Sequence, residues 1–165
     1  QTVLIADTTV HEQPSPEELA EIAVAAAAQA RRMGHEPRLA FLSYSNFGNP
    51  DRPSARRVRD AVAVLDQRPV DFEYDGDLSA DVALDPELMK RLYPFCRLSG
   101  PANVLIMPAL HSANIAAKLL QKLGGGTVIG PMLIGLPKSV QIVQMGTTVS
   151  ELVNMAAVAA HDAMR

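Results

Sequence analysis

The feature that most constrains this chain is a repeated alternation between short, β-branched apolar runs and longer segments with helical periodicity. Thr2–Ala6 is apolar with a β-branched bias, which predicts a buried strand. Ser15-Pro16-Glu17-Glu18 then opens a helix: Ser15 can cap it, Pro16 suits its first position and Glu18 completes a capping box. Leu19, Ile22, Ala23, Ala26, Ala30 and Met33 recur at helical spacing, and Gly34 ends the run. Arg38–Leu42 reads as a second strand, leading through the polar loop Ser43–Pro53 into a helix that starts near Ser54. That helix carries Val58, Ala61, Val62 and Leu65 on one face. Val70, Phe72 and Tyr74 alternate with Asp71, Glu73 and Asp75, which predicts a half-exposed strand.

The alternation continues. Asp85-Pro86-Glu87 opens a helix that runs to about Leu92, and Asn103–Met107 is a buried strand stopped by Pro108. A helix from about Ser112 to Leu123 follows, with Gly124-Gly125-Gly126 as its C-cap and turn. Thr127–Ile129, Met132–Ile134 and Val140–Val143 read as short strands or extended loops. The final helix, about 148–164, places Val149, Leu152, Val153, Ala156 and Ala160 on one face. Strand followed by helix, repeated, predicts an α/β class: three layers, with a mostly parallel sheet flanked by helices.

Composition narrows the function classes. Hydrophobic residues make up 48% of the chain and aromatics only 4%, so the core must be aliphatic. A formal charge of −3 gives no electrostatic case for nucleic acid or for an anionic membrane surface. No apolar run approaches the roughly 20 residues of a membrane span. The lone Cys96 can form no internal disulfide and belongs to no cysteine metal site, which fits a reducing, cytoplasmic setting. Gln1–Asp7 lacks a basic leader and opens inside a core element without a methionine, so the chain reads as a fragment of a longer protein.

Several chemistries lack their signatures. No strand runs into a phosphate loop or a G-x-G-x-x-G, and no G-x-S-x-G elbow occurs. His11, His35, His111 and His161 have no metal-ligand spacing. Four constellations remain, two of them strand-to-helix junctions. In Ser43-Tyr44-Ser45-Asn46-Phe47-Gly48-Asn49, hydroxyls, an amide and backbone N–H groups suit a phosphate or carboxylate, and Arg52, Arg56 and Arg57 lie just beyond. The bland alternative is a polar loop with solvated arginines. At the second junction His111, Asn114 and Lys118 share a helical face, which can hold a phosphorylated ligand or simply face water. Gly130-Pro131-Met132-Leu133-Ile134-Gly135-Leu136 can line a cleft for an adenine or pantetheine arm, or form core with tight turns. Thr148-Val149-Ser150-Glu151 is a capping box, whose Glu151 can alternatively act as an acid or base.

Taken in order, Ala6-Asp7-Thr8, Leu42-Ser43-Tyr44-Ser45, Gly100-Pro101-Ala102-Asn103-Val104-Leu105-Ile106, Asn114-Ile115-Ala116, Leu123-Gly124-Gly125 and Ile129-Gly130-Pro131 resemble the phosphate acetyltransferases. The resemblance covers nearly the whole chain and corresponds to the C-terminal half of that two-lobed fold. It implies a cleft between lobes, with a serine-bearing loop and arginines on phosphate, for moving acetyl between coenzyme A and phosphate. It also implies that the last helix packs on the missing lobe or on a partner chain, most simply in a symmetric homodimer.

The chain departs from the family where a Leu-Ser-Arg-Gly-Cys-Ser stretch is expected. Here Val143-Gln144-Met145-Gly146-Thr147-Thr148 stands instead, with Gln144 at the serine, Met145 at the catalytic arginine and Glu151 at a following aspartate. No catalytic residue of the family is therefore assigned in this chain. The departure resembles the C-terminal domain of bacterial NADP-dependent malic enzymes, as do Ser45-Asn46-Phe47-Gly48 and Gly130–Gly135 followed by Val140-Gln141-Ile142. That branch implies a non-catalytic domain that senses acetyl-CoA and helps assemble the oligomer. NADP, Mg or Mn and malate oxidation would belong to an N-terminal malic-enzyme domain. An active acetyltransferase and an assembly module without ligand are the rival readings. The residues expected to meet acetyl-CoA or phosphate are Ser43, Ser45, Asn46, Arg52, Arg56, His111, Asn114, Lys118, Gly130 and Pro131. No metal ligands are expected.

Overall fold

The computed structural model describes residues 2–164. They form two compact units, one ending at Ile115 and the other beginning at Ala116.

In the first unit, β1 (Leu4–Ala6), β2 (Arg38–Leu42), β3 (Glu73–Leu78) and β4 (Val104–Ile106) make one sheet in the order β1-β4-β2-β3. Every pairing in it is parallel. Helix α1 (Pro16–Arg32) carries the chain from β1 past β4 to β2, and α2 (Pro53–Leu65) carries it on to β3. The return to β4 runs through α3 (Ala80–Leu84) and α4 (Pro86–Leu92).

The predicted N-terminus of α1 is fully made. The Ser15 hydroxyl accepts the Glu18 N–H, and the Glu18 carboxylate accepts the Ser15 N–H. The helix buries Leu19, Ala20, Ala23, Ala26, Ala27 and Ala30, a nearly bare face that lets α2 and the sheet approach closely. Against it sit Leu39 and Phe41 of β2, Val104 and Ile106 of β4, and Val58, Ala61, Val62 and Leu65 of α2. Each larger side chain buried there contributes about 1.5–3 kcal/mol, which is how a chain poor in aromatics holds its fold. Ala40 and Leu42 point the other way by strand alternation, toward the side on which α3 meets β2.

Three expectations need correction. β1 is half-buried rather than buried, because it is an edge strand whose neighbour in the sheet is β4. β3 occupies 73–78 rather than 70–75. Asp75 reads as solvent-facing, yet it is only 4% exposed, and Asp77, beyond the alternation, is 0% exposed. Backbone donors, with the Arg97 guanidinium at Asp75 and that of Arg59 near Asp77, offset their burial. Asp75 accepts the N–H groups of Arg97 and Gly76, and Asp77 accepts that of Gly48. Between the two acids, Gly76 lies so close to Phe41 that an added Cβ would sit 2.7 Å from the Phe41 Cβ. Finally, the short α3 was not anticipated, since its single apolar turn has no cap bond to announce it.

Helix α5 (Leu110–Leu123) crosses from the first unit into the second. In the second unit, residues 124–148 contain no strand among the described residues, so the extended-loop alternative holds there. The Gln141 side-chain amide accepts the Leu133 N–H at 2.9 Å and donates back to its carbonyl at 3.3 Å, tying two parts of this segment together. Helix α6 (Val149–Ala163) buries Met155 and leaves Val149, Leu152, Val153, Ala156 and Ala160 exposed. No helix among the described residues is long and apolar enough to cross a membrane.

Candidate functional site

Because the strands are parallel, the loops after β1, β2 and β4 leave the same edge of the sheet, where α/β folds place their ligands. Backbone and side chains knit these loops together. The Leu110 N–H donates to the Glu12 carbonyl at 3.1 Å, and Arg57 Nη2 donates to the Pro108 carbonyl at 2.9 Å. Asn114 Nδ2 donates to the Thr8 carbonyl at 3.2 Å. Between them opens a cavity of about 420 Å³ lined by Gln13, Pro53, Ser54, Arg57 and Ala109.

Each wall is set by local chemistry. After β1, the Asp7 carboxylate accepts the N–H groups of Thr9, Val10 and His11 at 2.7–3.0 Å and pairs with His11 Nδ1 at 2.7 Å. Burial pushes the Asp7 carboxyl up, but these donors outweigh it and hold it below its ordinary range. After β2, the chain turns sharply at Asn46–Asn49, whose two ends exchange backbone hydrogen bonds at 3.0 and 3.1 Å. Phe47 and Gly48 take left-handed conformations there, with φ of 49° and 84°. The Tyr44 hydroxyl reaches Ser54 Oγ at 3.2 Å, and Pro53 fits the first turn of α2.

The sequence-predicted residues divide by place. Ser43 lies at the loop start, where its hydroxyl accepts the Ser45 N–H. Ser45 is wholly buried, with an Oγ that has no hydrogen-bond partner among the described residues. Asn46 spends its amide on Ser79, accepting that N–H at 2.8 Å and donating to its hydroxyl at 3.0 Å. Arg52 is exposed at the N-cap of α2, and Arg56 bonds Asp51 at 2.6 Å. His111 is exposed on the first turn of α5, and Asn114 is the half-buried donor to Thr8. Ser43, Ser45, Asn46, Arg52, Arg56, His111 and Asn114 thus lie in the loops and helix starts of the first unit, and none of them lines the cavity.

The rest belong to the second unit. Lys118 is exposed on α5. Gly130, with φ of 137°, and half-buried Pro131 lie in the extended segment. Gln144 is exposed and Met145 fully so. Glu151 is engaged as a cap: its carboxylate accepts the N–H and hydroxyl of Thr148 at 2.7 and 2.9 Å. Those bonds, the backbone one foremost, hold its carboxyl below the ordinary range. An anion so held is poorly suited to donate a proton near neutrality.

Of the cavity walls, sequence reasoning named Arg57 as a candidate and gave the others no ligand role. Gln13, Ser54 and Ala109 carry no motif. Ser54 and Arg57 stand three apart on α2, so a helix start fixed at Pro53 would have placed them on one side. Arg57 is the cation of the cavity wall, and its Nε is buried without a hydrogen-bond partner among the described residues. A guanidinium beside an amide and a hydroxyl can bind and orient an anionic group. Among the described residues no three of His, Cys, Asp and Glu converge to hold a metal.

Comparison with known proteins now bears on this geometry. The profile described as phosphate acetyl/butaryl transferase matches residues 1–160. The chain is 60% identical over 163 residues to an NADP-dependent malic enzyme of Rhizobium meliloti, covering 99% of this chain and 21% of that protein. It is 38% identical over 159 residues to a phosphate acetyltransferase of Paracoccus denitrificans, covering 96% of this chain and 50% of the relative. Among solved structures, a phosphotransacetylase from Streptococcus pyogenes superposes with a TM-score of 0.91 at 34% identity, over 97% of this chain and 49% of that one. The EutD phosphotransacetylase from Staphylococcus aureus gives 0.90 at 31% identity, over 96% and 49%. The chain therefore spans about a fifth of that malic enzyme and about half of each acyltransferase. A parallel sheet of matching fold and a profile that runs through nearly every residue lead to one conclusion: the chain belongs to the phosphate acetyl/butaryl transferase family.

Proposed function

We propose that this chain is the C-terminal, acyltransferase-like part of an NADP-dependent malic enzyme, and that it binds acetyl-CoA without turning it over. The remainder of such a protein would oxidatively decarboxylate malate to pyruvate and carbon dioxide in the cytoplasm, using NADP and Mg or Mn. Identity of 60% to a malic enzyme along 99% of the chain supports that parentage.

The observation that carries the non-catalytic reading is Met145. It stands where the family resemblance expects an arginine, next to Gln144 where it expects a serine. A thioether cannot clamp a phosphate or stabilise developing negative charge, and losing one such donor costs about 2–4 kcal/mol, or roughly 10²–10³ in rate. The loop after β2 and the cavity beside Arg57 keep hydroxyl, amide and guanidinium groups for an anionic ligand. Binding would thus outlast catalysis.

Regulation then follows from differential affinity. Acetyl-CoA shifts the protein only if one arrangement of its parts or subunits binds it better than another. The exposed apolar side of α6 is the surface we assign to a second copy. Titrating acetyl-CoA into the intact protein during malate oxidation tests the reading. A saturable change in rate is expected. A flat response, with no heat of binding by calorimetry, would leave a module for assembly alone.

A further inference from the structure

The loop after β2 rests on buried Asp77 of β3 and partly buried Arg59 of α2. Asp77 is fully buried at the end of β3. Its Oδ1 accepts the Gly48 N–H at 3.0 Å, and its backbone carbonyl accepts the Phe47 N–H at 2.8 Å. Arg59 of α2 approaches the same Oδ1 with Nη1 at 3.8 Å, while its Nη2 bonds Asp51, at the far end of the loop, at 2.6 Å. The fit is close: a Cβ added to Gly48 would lie 2.4 Å from Arg59 Nη1. Asp77 Oδ2 and Arg59 Nη1 are buried with no hydrogen-bond partner among the described residues, and each is the opposite charge nearest the other's buried atom.

We infer that Asp77 and Arg59 are positioning residues, which hold the Ser43–Pro53 loop in its ligand-ready shape before any ligand arrives. The inference rests on the reading that this loop contacts acetyl-CoA. An ordered loop binds more tightly than one that must be ordered on binding, because the entropy cost is met during folding. Phe47, with φ of 49°, holds a left-handed conformation that a non-glycine residue does not favour unaided, and the Asp77 carbonyl accepts its N–H.

The test uses the intact protein and three variants: Asp77→Asn, Arg59→Lys, and Asp77→Asn combined with Arg59→Met. Asp77→Asn alone leaves the buried Arg59 Nη1 without its counter-charge and should destabilise the fold. The double variant removes both charges, and such neutral replacements commonly restore stability. A residue that only supports the fold would regain everything in the double variant. The positioning role predicts otherwise. With urea stability restored, the Phe47 and Gly48 amides should exchange at least tenfold faster than in the wild type, and half-saturation by acetyl-CoA should rise about tenfold. Arg59→Lys, which keeps the charge and loses the fork, should fall between the two. Wild-type exchange and affinity in the double variant would overturn the inference. So would faster exchange with unchanged affinity. A wild type that does not bind acetyl-CoA would remove the effector reading, and amide exchange at 46–48 would then decide the brace by itself.

Discussion

Replacing Asn103 by alanine should cost about 2 kcal/mol without touching the ligand cavity. Asn103 sits just before β4, and its side chain is a strut between strand beginnings. Oδ1 accepts the Arg38 N–H at 2.8 Å, and Nδ2 donates to the Glu36 carbonyl at 2.8 Å. Its own backbone remains in the ladder, donating to the Arg38 carbonyl at 3.0 Å and accepting the Leu4 N–H at 2.8 Å. Alanine therefore deletes the two side-chain bonds and little else. Each is worth about 0.5–1.5 kcal/mol, and the half-buried rim lets water recover part of the loss. Urea unfolding followed by circular dichroism should show a midpoint lower by about 1 M at an unchanged slope, for a slope near 2 kcal/mol/M. A midpoint moved by less than about 0.2 M at that slope would refute the claim that the Asn103 side chain is a strut between strand beginnings.

Three further outcomes follow from the same contacts. Asp51 is lowered to about 2 by its hydrogen bonds to Arg56 and Arg59, so it favours the folded state above its unfolded value near 3.8 and loses that advantage as pH falls through 2. Asp51→Asn should thus be the less stable protein above about pH 4 and converge with the wild type near pH 2, as acid titrations of unfolding would show. Burial, and then the neighbouring Asp75, push the Cys96 thiol up to about 11, so alkylation at pH 8 should run roughly 100-fold slower than for an unperturbed thiol; a rate equal to that of a free cysteine would contradict it. The exposed apolar side of α6 should bring two copies together, and light scattering that reports a monomer at high concentration would exclude this.

What the sequence disclosed depended on how local the governing physics was. The capping boxes at Ser15 and Thr148 need only four neighbouring residues, and both are made as read. β2 was legible to the residue, because Arg38–Leu42 is an apolar run buried on both faces. β3 was displaced because acids were taken as solvent-facing. Asp75 and Asp77 are buried through backbone donors distant in sequence, such as Gly48 and Arg97, which no periodicity reveals. The loop after β2 was recognisable as a candidate from its position between strand and helix. Its inner wiring was not: Asn46 turns to Ser79, Arg56 to Asp51, and Arg57 lines the cavity. Choosing among three nearby arginines requires the phase of α2, and one residue of error at its start rotates that choice by about 100°.

The central claim concerns a ligand that is held and not consumed. Its most direct test is to incubate the intact protein with acetyl-CoA and inorganic phosphate and to follow acetyl phosphate together with free coenzyme A thiol. A rate at least about 10²–10³-fold below that of an ordinary enzyme is predicted, because Met145 offers no charge to the transferring group. Steady production at an ordinary enzymatic rate, about 1–10³ per second, would contradict the account.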